Sequence, residues 1–140
     1  MPELRHDPVR EGWVIIATER ARRPSDFKPP HNAKKGETNC PFCPGNEKKT
    51  PPEIMSFRAE DTDPDTPGWQ VRVVPNKFAA LTVDAKTAAE TKGLFQIRAG
   101  TGVHEVIIEG PDHNAFFSDL DQEHAVQVLK GWRQRYLQLE

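Results

Sequence analysis

The sequence has little cysteine and no long apolar run. Only two of its 140 residues are cysteines, and no apolar stretch approaches the roughly 18 residues that a membrane-spanning helix needs. The first ten residues, MPELRHDPVR, lack the apolar core of a signal peptide. We therefore expect a cytoplasmic protein with no membrane partner. In a reducing compartment, two cysteines favour metal or redox chemistry over a structural disulfide.

The sequence also lacks a strong charge of either sign. The formal net charge is −2, whereas nucleic-acid binding usually leaves a strongly basic footprint. We therefore expect no nucleic-acid partner. The length is that of one ordinary domain, and 13 prolines with a hydrophobic fraction of only 36% predict long irregular connections around a modest sheet.

Apolar runs bounded by turn residues predict four short strands. They cover residues 13–17, 54–57, 69–74 and 103–109. A turn signal, Asp7-Pro8, precedes the first of these runs. The last run has an apolar centre, which is typical of an inner strand.

The clearest helix lies at the end of the sequence. Asp121 is a good N-cap, and the apolar residues after it follow one helical stripe. The stripe consists of Ala125, Val128, Leu129, Trp132, Tyr136 and Leu139. No Gly, Asn or Pro stop follows, so we expect the 140 residues to be the front part of a longer protein. Residues 84–92 are compatible with a second, weakly amphipathic helix.

The two cysteines belong to one motif, CPFCPGNE, at residues 40–47. A C-x-x-C turn places two sulfurs close enough to bind one Zn²⁺ or to oxidise to a small disulfide. A structural zinc needs four ligands, so the motif supplies half of a metal site.

Five histidines are candidates for a further ligand. His113 is the strongest, because it lies in a turn just beyond the end of a predicted strand. His104 is second, although a histidine within a strand is more often a hydrogen-bonded, partly buried residue. His124 is predicted to be solvated in the first helical turn, and His6 and His31 lie in irregular stretches.

A cluster of basic residues follows the first predicted strand. Residues 10–35 contain seven Lys or Arg against three acids, and Arg20, Arg22 and Arg23 directly precede Pro24. Guanidinium groups there can bind phosphate in a bidentate way. The alternative is a solvated, charged loop.

Four separated motifs, taken in order, resemble the N-terminal half of the galactose-1-phosphate uridylyltransferase family. They are RHDPVREGWVIIATERARRPSDF (5–27), CPFCPGNE with TPPEI (40–54), WQVRVVPNKFAAL (69–81) and HEVIIEGPDH (104–113). The resemblance runs over most of the chain. It implies an α+β fold, in which an antiparallel β-sheet is flanked by helices as in the histidine-triad superfamily, with long loops and a zinc knuckle.

The resemblance also implies a structural zinc held by Cys40, Cys43 and His113. In the family, the fourth ligand is the first histidine of a His-Pro-His motif, and the second histidine is the catalytic nucleophile. No His-Pro-His occurs in this sequence. Residues 1–140 are therefore expected to form an N-terminal domain that stops before this motif, with no catalytic residue of its own.

The reaction that the resemblance implies is a double displacement on a sugar nucleotide. A histidine attacks the α-phosphorus of UDP-glucose, and the uridylyl-histidine then passes its group to galactose 1-phosphate. The full-length enzyme is expected to be a homodimer. The substrate-binding residues that match the family are Arg20 and Arg23 for the phosphates, and Phe42, Asn76, Phe78 and Val106 for the uridine. Lys77 stands where some members have an aspartate, and core packing is the alternative role of the apolar residues.

Three other functions remain open at this point. A relative that uses ADP-sugars, or phosphate as the acceptor, has nearly the same motifs. A non-catalytic zinc-binding module is a second alternative. A dithiol redox protein is the third, but it requires a C-x-x-C at the start of a helix, which Pro44-Gly45 disfavours.

Overall fold

The computed structural model of the protein describes residues 2–17, 39–83 and 89–140. The described strands, in chain order, are β1 (Glu3–Asp7), β2 (Gly12–Ile16), β3 (Met55–Arg58), β4 (Trp69–Pro75), β5 (Glu90–Lys92), β6 (Phe95–Ala99) and β7 (Glu105–Ile108). They are followed by one long helix, α1 (Gln122–Leu139). The chain divides into two compact units, which we call the four-stranded unit (Met1–His31 and Phe78–His104) and the knuckle unit (Asn32–Lys77 and Glu105–Glu140).

The four-stranded unit is an antiparallel sheet with the strand order β2-β1-β6-β5. The predicted turn between β1 and β2 is present, because the Asp7 carboxylate accepts hydrogen bonds from the N–H groups of Val9 and Arg10. The predicted strand at 13–17 is confirmed as β2. The strands β1 and β6 were not predicted from sequence, and they pair with each other at the centre of this sheet.

The helix predicted over residues 84–92 is wrong where the structure describes that stretch. Residues 90–92 form β5, which pairs with β6 around a tight turn at Gly93, while residues 84–88 lie outside the described residues. Gly93 has a φ of +63°, a conformation that favours glycine and closes a hairpin. Because the stretch has no strong apolar stripe to bury as a helix, cross-strand pairing decides its structure.

The knuckle unit is built on a three-stranded antiparallel sheet with the order β3-β4-β7. The predicted strands at 54–57, 69–74 and 103–109 are present as β3, β4 and β7, with β7 shorter at both ends. Within the described residues the central strand is β4 rather than β7. Its buried apolar side chains are Trp69, Val71, Val73 and Val74.

The predicted C-terminal helix is confirmed as α1, and its N-cap is Asp121, whose carboxylate accepts the His124 N–H at 2.8 Å. The helix packs on β3 and β4. The face in contact differs from the predicted stripe, since Val128 and Gly131 are buried whereas the rest of the stripe beyond Ala125 is exposed.

The difference between the predicted and the observed buried face of α1 is explained at Gly131, where the helix contacts the sheet. A Cβ at that position would meet Phe57, Met55 and Val71 at 3.4–3.6 Å, so the helix approaches the sheet where it has no side chain. One turn later, Arg135 forms a bidentate ion pair with Glu105 of β7. The exposed part of the stripe consists of Leu129, Trp132, Tyr136 and Leu139.

The predicted α+β class with antiparallel sheet is confirmed. Among the described residues, no helix is long and apolar enough to cross a membrane.

Candidate metal centre

The C-x-x-C motif folds as two successive tight turns. The Cys43 N–H donates to the Cys40 carbonyl at 3.4 Å, and the Asn46 N–H donates to the Cys43 carbonyl at 3.1 Å. The Asn46 side-chain amide also donates to the Cys40 carbonyl at 2.7 Å. Gly45 has a φ of +87°, which explains why the motif needs a glycine there. No helix begins at Cys43, so the geometry expected of a dithiol redox motif is absent from this segment.

The predicted third ligand lies beside this knuckle. His113 follows β7 in a turn where the Asp112 carboxylate accepts the Asn114 N–H at 2.9 Å. The His113 Nδ1 is 3.2 Å from the Cys43 Sγ. One ligand atom from each of Cys40, Cys43 and His113 lies within 4.8 Å of the other two.

This donor set fits a tetrahedral transition metal. Zinc bonds of about 2.0 Å to nitrogen and 2.3 Å to sulfur place a nitrogen and a sulfur ligand roughly 3.5 Å apart and two sulfurs roughly 3.8 Å apart. The 3.2 Å between His113 Nδ1 and Cys43 Sγ, and the 4.8 Å limit for the whole set, are close to these values. Two sulfurs and an imidazole suit soft metals such as zinc, whereas Mg²⁺ and Ca²⁺ prefer oxygen ligands. Cys43 is buried, Cys40 is half-buried and His113 is exposed, so the site has a protected side and an open side.

Two other histidines have structural partners. The His124 Nε2 lies 2.7 Å from the Glu109 carbonyl and 3.0 Å from that of Gln70, so the ring ties the start of α1 to the strand ends near the site. The prediction that His124 is solvated is therefore wrong, because its tertiary partners are 15 and 54 residues away. His104 precedes β7 and its Nδ1 accepts the Ala80 N–H at 2.9 Å, the hydrogen-bonded role expected of it.

A buried ionic cluster holds the segment after the knuckle on β4. Arg72 is only 1% exposed, and it donates to Glu53 at 2.9 Å, to Thr50 at 2.9 Å and to Asp65 at 2.5 Å. Arg58 donates through one nitrogen, Nη2, to both carboxylate oxygens of the same Glu53. Burial raises the pKa of Glu53, but hydrogen bonds from Ser56 and Arg72 outweigh burial and leave that pKa below its ordinary value.

This ionic cluster was not predicted from sequence. An arginine in the middle of an apolar strand is the one signal that points to it, because a buried guanidinium requires partners. Those partners come from a proline-rich stretch and a charged loop, neither of which has a periodicity that predicts its position.

The residues predicted to bind a nucleotide divide between the two units. Phe42, Asn76 and Val106 belong to the knuckle unit, and Phe78 belongs to the four-stranded unit. Val106 packs against the buried apolar cluster of Trp69, Val74 and Ile108. By contrast, Phe42 is 41% exposed and Phe78 is 70% exposed. Arg20 and Arg23 lie outside the described residues.

Comparison with known proteins shows which family has this fold and these motifs. Residues 1–140 match the family described as galactose-1-phosphate uridyl transferase, N-terminal domain. The chain therefore belongs to this family.

The similar proteins include more than one activity. The chain is 37% identical to the ADP-glucose phosphorylase of Arabidopsis thaliana, over 99% of this chain and 39% of that protein. It is 28% identical to the galactose-1-phosphate uridylyltransferase of Kluyveromyces lactis, over 97% of this chain and 37% of that protein. The chain thus spans less than two fifths of the length of these relatives.

Solved structures are also similar to this chain. The crystal structure of the Arabidopsis thaliana ADP-glucose phosphorylase with bound ADP-glucose has a TM-score of 0.53 at 35% identity, covering 99% of this chain and 38% of that one. A uridylyltransferase structure has a TM-score of 0.58 at 24% identity, covering 96% of this chain and 35% of that one. The second likeness supports the fold alone.

Proposed function

We propose that this chain is the N-terminal, zinc-bearing part of an enzyme that transfers a nucleoside monophosphate group from a sugar nucleotide to an acceptor. The observation that carries the proposal is the meeting of Cys40, Cys43 and His113 at one point, in a chain that belongs to this family. The proposed role of residues 1–140 is that of a domain that ends before the His-Pro-His motif, which supplies the nucleophile elsewhere in the enzyme.

In this proposal the metal is a structural Zn²⁺. Cys40, Cys43 and His113 would hold it, and the bound metal supplies a cross-link between the knuckle and the turn after β7. Such a link stabilises the folded state, because the unfolded chain has no preformed site. The fourth ligand stays open, with the family's histidine as the candidate.

The proposed nucleotide contacts divide by chemistry. Arg20 and Arg23 would bind the phosphates through bidentate hydrogen bonds. Asn76 offers an amide to the base or ribose, and the exposed rings of Phe42 and Phe78 offer faces on which a base can stack. Val106 would contribute an apolar wall.

Two reactions compete within this proposal. The first transfers UMP between UDP-glucose and galactose 1-phosphate, through a uridylyl-histidine intermediate. The second splits ADP-glucose with phosphate as the acceptor, and the specific observation that favours it is the 37% identity to an ADP-glucose phosphorylase, against 28% to a uridylyltransferase.

Binding to the purified chain tests the proposal without requiring the nucleophile. Isothermal titration with UDP-glucose and with ADP-glucose measures which base is preferred, and we expect the preferred sugar nucleotide to bind with its affinity weakened by Phe78→Ala. Phe116→Ala is the matched control, because Phe116 is 75% exposed and has no predicted nucleotide contact. Binding of neither nucleotide, or equal weakening by both variants, contradicts the proposed nucleotide contacts.

The assembly of the enzyme is also a proposal. The full-length protein is proposed to be a homodimer, as the family resemblance implies. Sedimentation equilibrium of the full-length protein measures its molecular mass directly, and a monomer at all concentrations contradicts the homodimer.

A further inference from the structure

The knuckle carries a buried carboxylate that the ligand set does not use. Glu47 follows Cys43 by four residues, lies in the short 3₁₀ helix Glu47–Lys49 and is only 5% exposed. A carboxylate is costly to bury, so a residue that only filled this space would be apolar. Among the described residues, no ion pair involves Glu47, in contrast to the buried Glu53 with its two arginines.

The partners of Glu47 are neutral donors from two separate elements. One carboxylate oxygen accepts the backbone N–H of Gly45 at 2.9 Å, within the turn that directly follows Cys43. The other oxygen accepts the indole N–H of Trp69 at 3.0 Å. Trp69 is buried at the start of β4, so it forms a fixed point of the sheet.

Glu47 is also held along its own backbone. Its carbonyl accepts hydrogen bonds from the Thr50 N–H at 3.1 Å and from the Thr50 hydroxyl at 2.8 Å. Thr50 in turn accepts a bond from Arg72 of β4. The side chain and the backbone of Glu47 are therefore both fastened to the central strand of the knuckle unit.

This arrangement leaves the Cys43 turn little freedom to move. The turn is closed at one end by the bond between Cys43 and Asn46, and it is held at Gly45 by the Glu47 carboxylate. The His113 ligand approaches from β7, which pairs with β4 in the same sheet. The Cys43 turn and the turn that carries His113 are therefore both anchored to the same strand, β4.

We propose that Glu47 is a positioning residue of the metal centre, whose carboxylate fixes the Cys43 turn on Trp69 so that the sulfurs meet His113 in ligand geometry before a metal binds. The inference rests on the proposed metal site. It concerns how tightly the site binds, since groups outside the ligand set that orient ligands typically change metal affinity by about 10–100-fold.

The test is Co²⁺ and Zn²⁺ binding to the purified chain. Co²⁺ reports thiolate ligation through its sulfur-to-metal charge-transfer band and tetrahedral coordination through its visible bands, and Zn²⁺ is then measured by competition. Glu47→Gln keeps the shape of the side chain but leaves only one acceptor oxygen. We expect its dissociation constant for Co²⁺ to rise about 10-fold, with altered visible bands.

Glu53→Gln is the matched control variant. It changes a second buried carboxylate of the same unit in the same way, yet its partners are Arg58, Arg72 and Ser56 rather than the knuckle. We expect it to lower the stability of the chain while its Co²⁺ affinity and spectrum match those of the wild type. A purely structural role of Glu47 would make the two variants behave alike.

Trp69→Phe approaches the same contact from the other side. It removes the indole donor, fills most of the same space and leaves the bond to Gly45, so we expect an affinity loss of about fivefold, the value of one ordinary hydrogen bond. This variant decides the question if Glu47→Gln does not fold.

The outcomes separate this inference from the proposed function. If the wild-type chain binds no Co²⁺, the metal site itself is wrong and the role of Glu47 fails with it. If the wild type binds Co²⁺ and Glu47→Gln or Trp69→Phe binds equally tightly with an unchanged spectrum, the metal site stands and the positioning role is overturned.

Discussion

The two units use their sheets differently. In the knuckle unit, β4 is covered on both faces, and its buried apolar residues are joined by Ile108 of β7 and Val128 of α1. In the four-stranded unit, the apolar side chains of β2 remain substantially exposed, and the buried apolar residues among those described are Ala80 and Ala99. Trp13 of β2 is covered instead by a cation, with the Arg98 guanidinium 3.4 Å from its ring centre.

The difference explains why the candidate metal ligands lie in the knuckle unit. A metal site needs ligands fixed to within a fraction of an ångström, and only a packed core resists their movement. All three candidate ligands belong to the unit with the packed core. The described side chains of β2 in the four-stranded unit make their contacts at the surface, and such contacts restrain the backbone less than a packed core does.

The strongest test of this comparison removes a metal ligand. In Cys43→Ser we expect bound zinc to fall from about one per chain to near zero, because two ligands do not hold the ion. When free metal is about 1,000-fold above its dissociation constant, binding stabilises the folded chain by about 4 kcal/mol. The loss of bound metal therefore lowers the free energy of unfolding by about that amount. Elemental analysis and urea unfolding measure both effects.

The chelated wild-type chain is the control for Cys43→Ser. A chelator should destabilise the wild type and leave the variant unchanged, and hydrogen exchange should rise near residues 40–50 while that of β1 and β6 stays constant. An equal effect of the chelator on both chains contradicts the assignment of Cys43 as a ligand.

The second test breaks the ionic cluster. Glu53→Gln leaves Arg58 and Arg72 without their shared carboxylate, and we expect a loss of about 3 kcal/mol in the free energy of unfolding at pH 7. The pKa of Glu53 is lower in the folded state than in the unfolded state. The stability that its charge contributes is therefore fully present above the unfolded-state pKa, and it is lost as the pH falls through the folded-state pKa.

The pH dependence of stability checks the sign of that effect. The unfolded-state pKa of Glu is about 4.3, so the stabilities of the wild type and Glu53→Gln should converge as the pH falls below about 4. If the free energies of unfolding of the two chains change in parallel between pH 7 and pH 3, the charge of Glu53 does not contribute to stability.

The third test compares equivalent truncations in the two sheets. Val73→Ala removes two methyl groups from a fully buried position of β4, and we expect a loss of about 2 kcal/mol. Val14→Ala makes the same change at a half-exposed position of β2, with an expected loss of less than about 0.5 kcal/mol. Equal losses in urea unfolding would remove the distinction between the packed and the open sheet.

The smallest expected effect concerns the start of α1. Asp121→Ala removes the acceptor for the His124 N–H, which costs about 1 kcal/mol of stability. Asp61→Ala, at an exposed acid in a loop, is the control that should change stability only slightly. Thermal unfolding followed by circular dichroism distinguishes the two, and identical midpoints would argue against the cap.

Local sequence signals predicted the elements that have strong patterns of their own. The strands β2, β3, β4 and β7 follow from short apolar runs, and α1 follows from its stripe and its N-cap. The strand β1 was missed because ELRHD is mostly polar. The strand β6, FQIRA, does alternate apolar and polar residues, and that signal was overlooked. The nucleotide contacts of Arg20 and Arg23 stay predictions.

The chemistry of the candidate site follows from short stretches of the sequence. Cys40 and Cys43 are neighbours in a turn whatever the rest of the chain does, and His113 follows a recognisable strand. Sequence pattern also determined that a helix begins after Asp121. These features are local, so the spacing and the type of a few residues are enough to predict them.

Which of these groups come into contact depends on the folding of the whole chain. The contact of His113 with Cys43 spans 70 residues, and that of Glu47 with Trp69 spans 22. The face that α1 presents to the sheet depends on the close approach at Gly131 and on the ion pair of Arg135, neither of which is encoded in the helical stripe. Contacts of this kind arise because packing and buried charges must be satisfied across the whole unit at once.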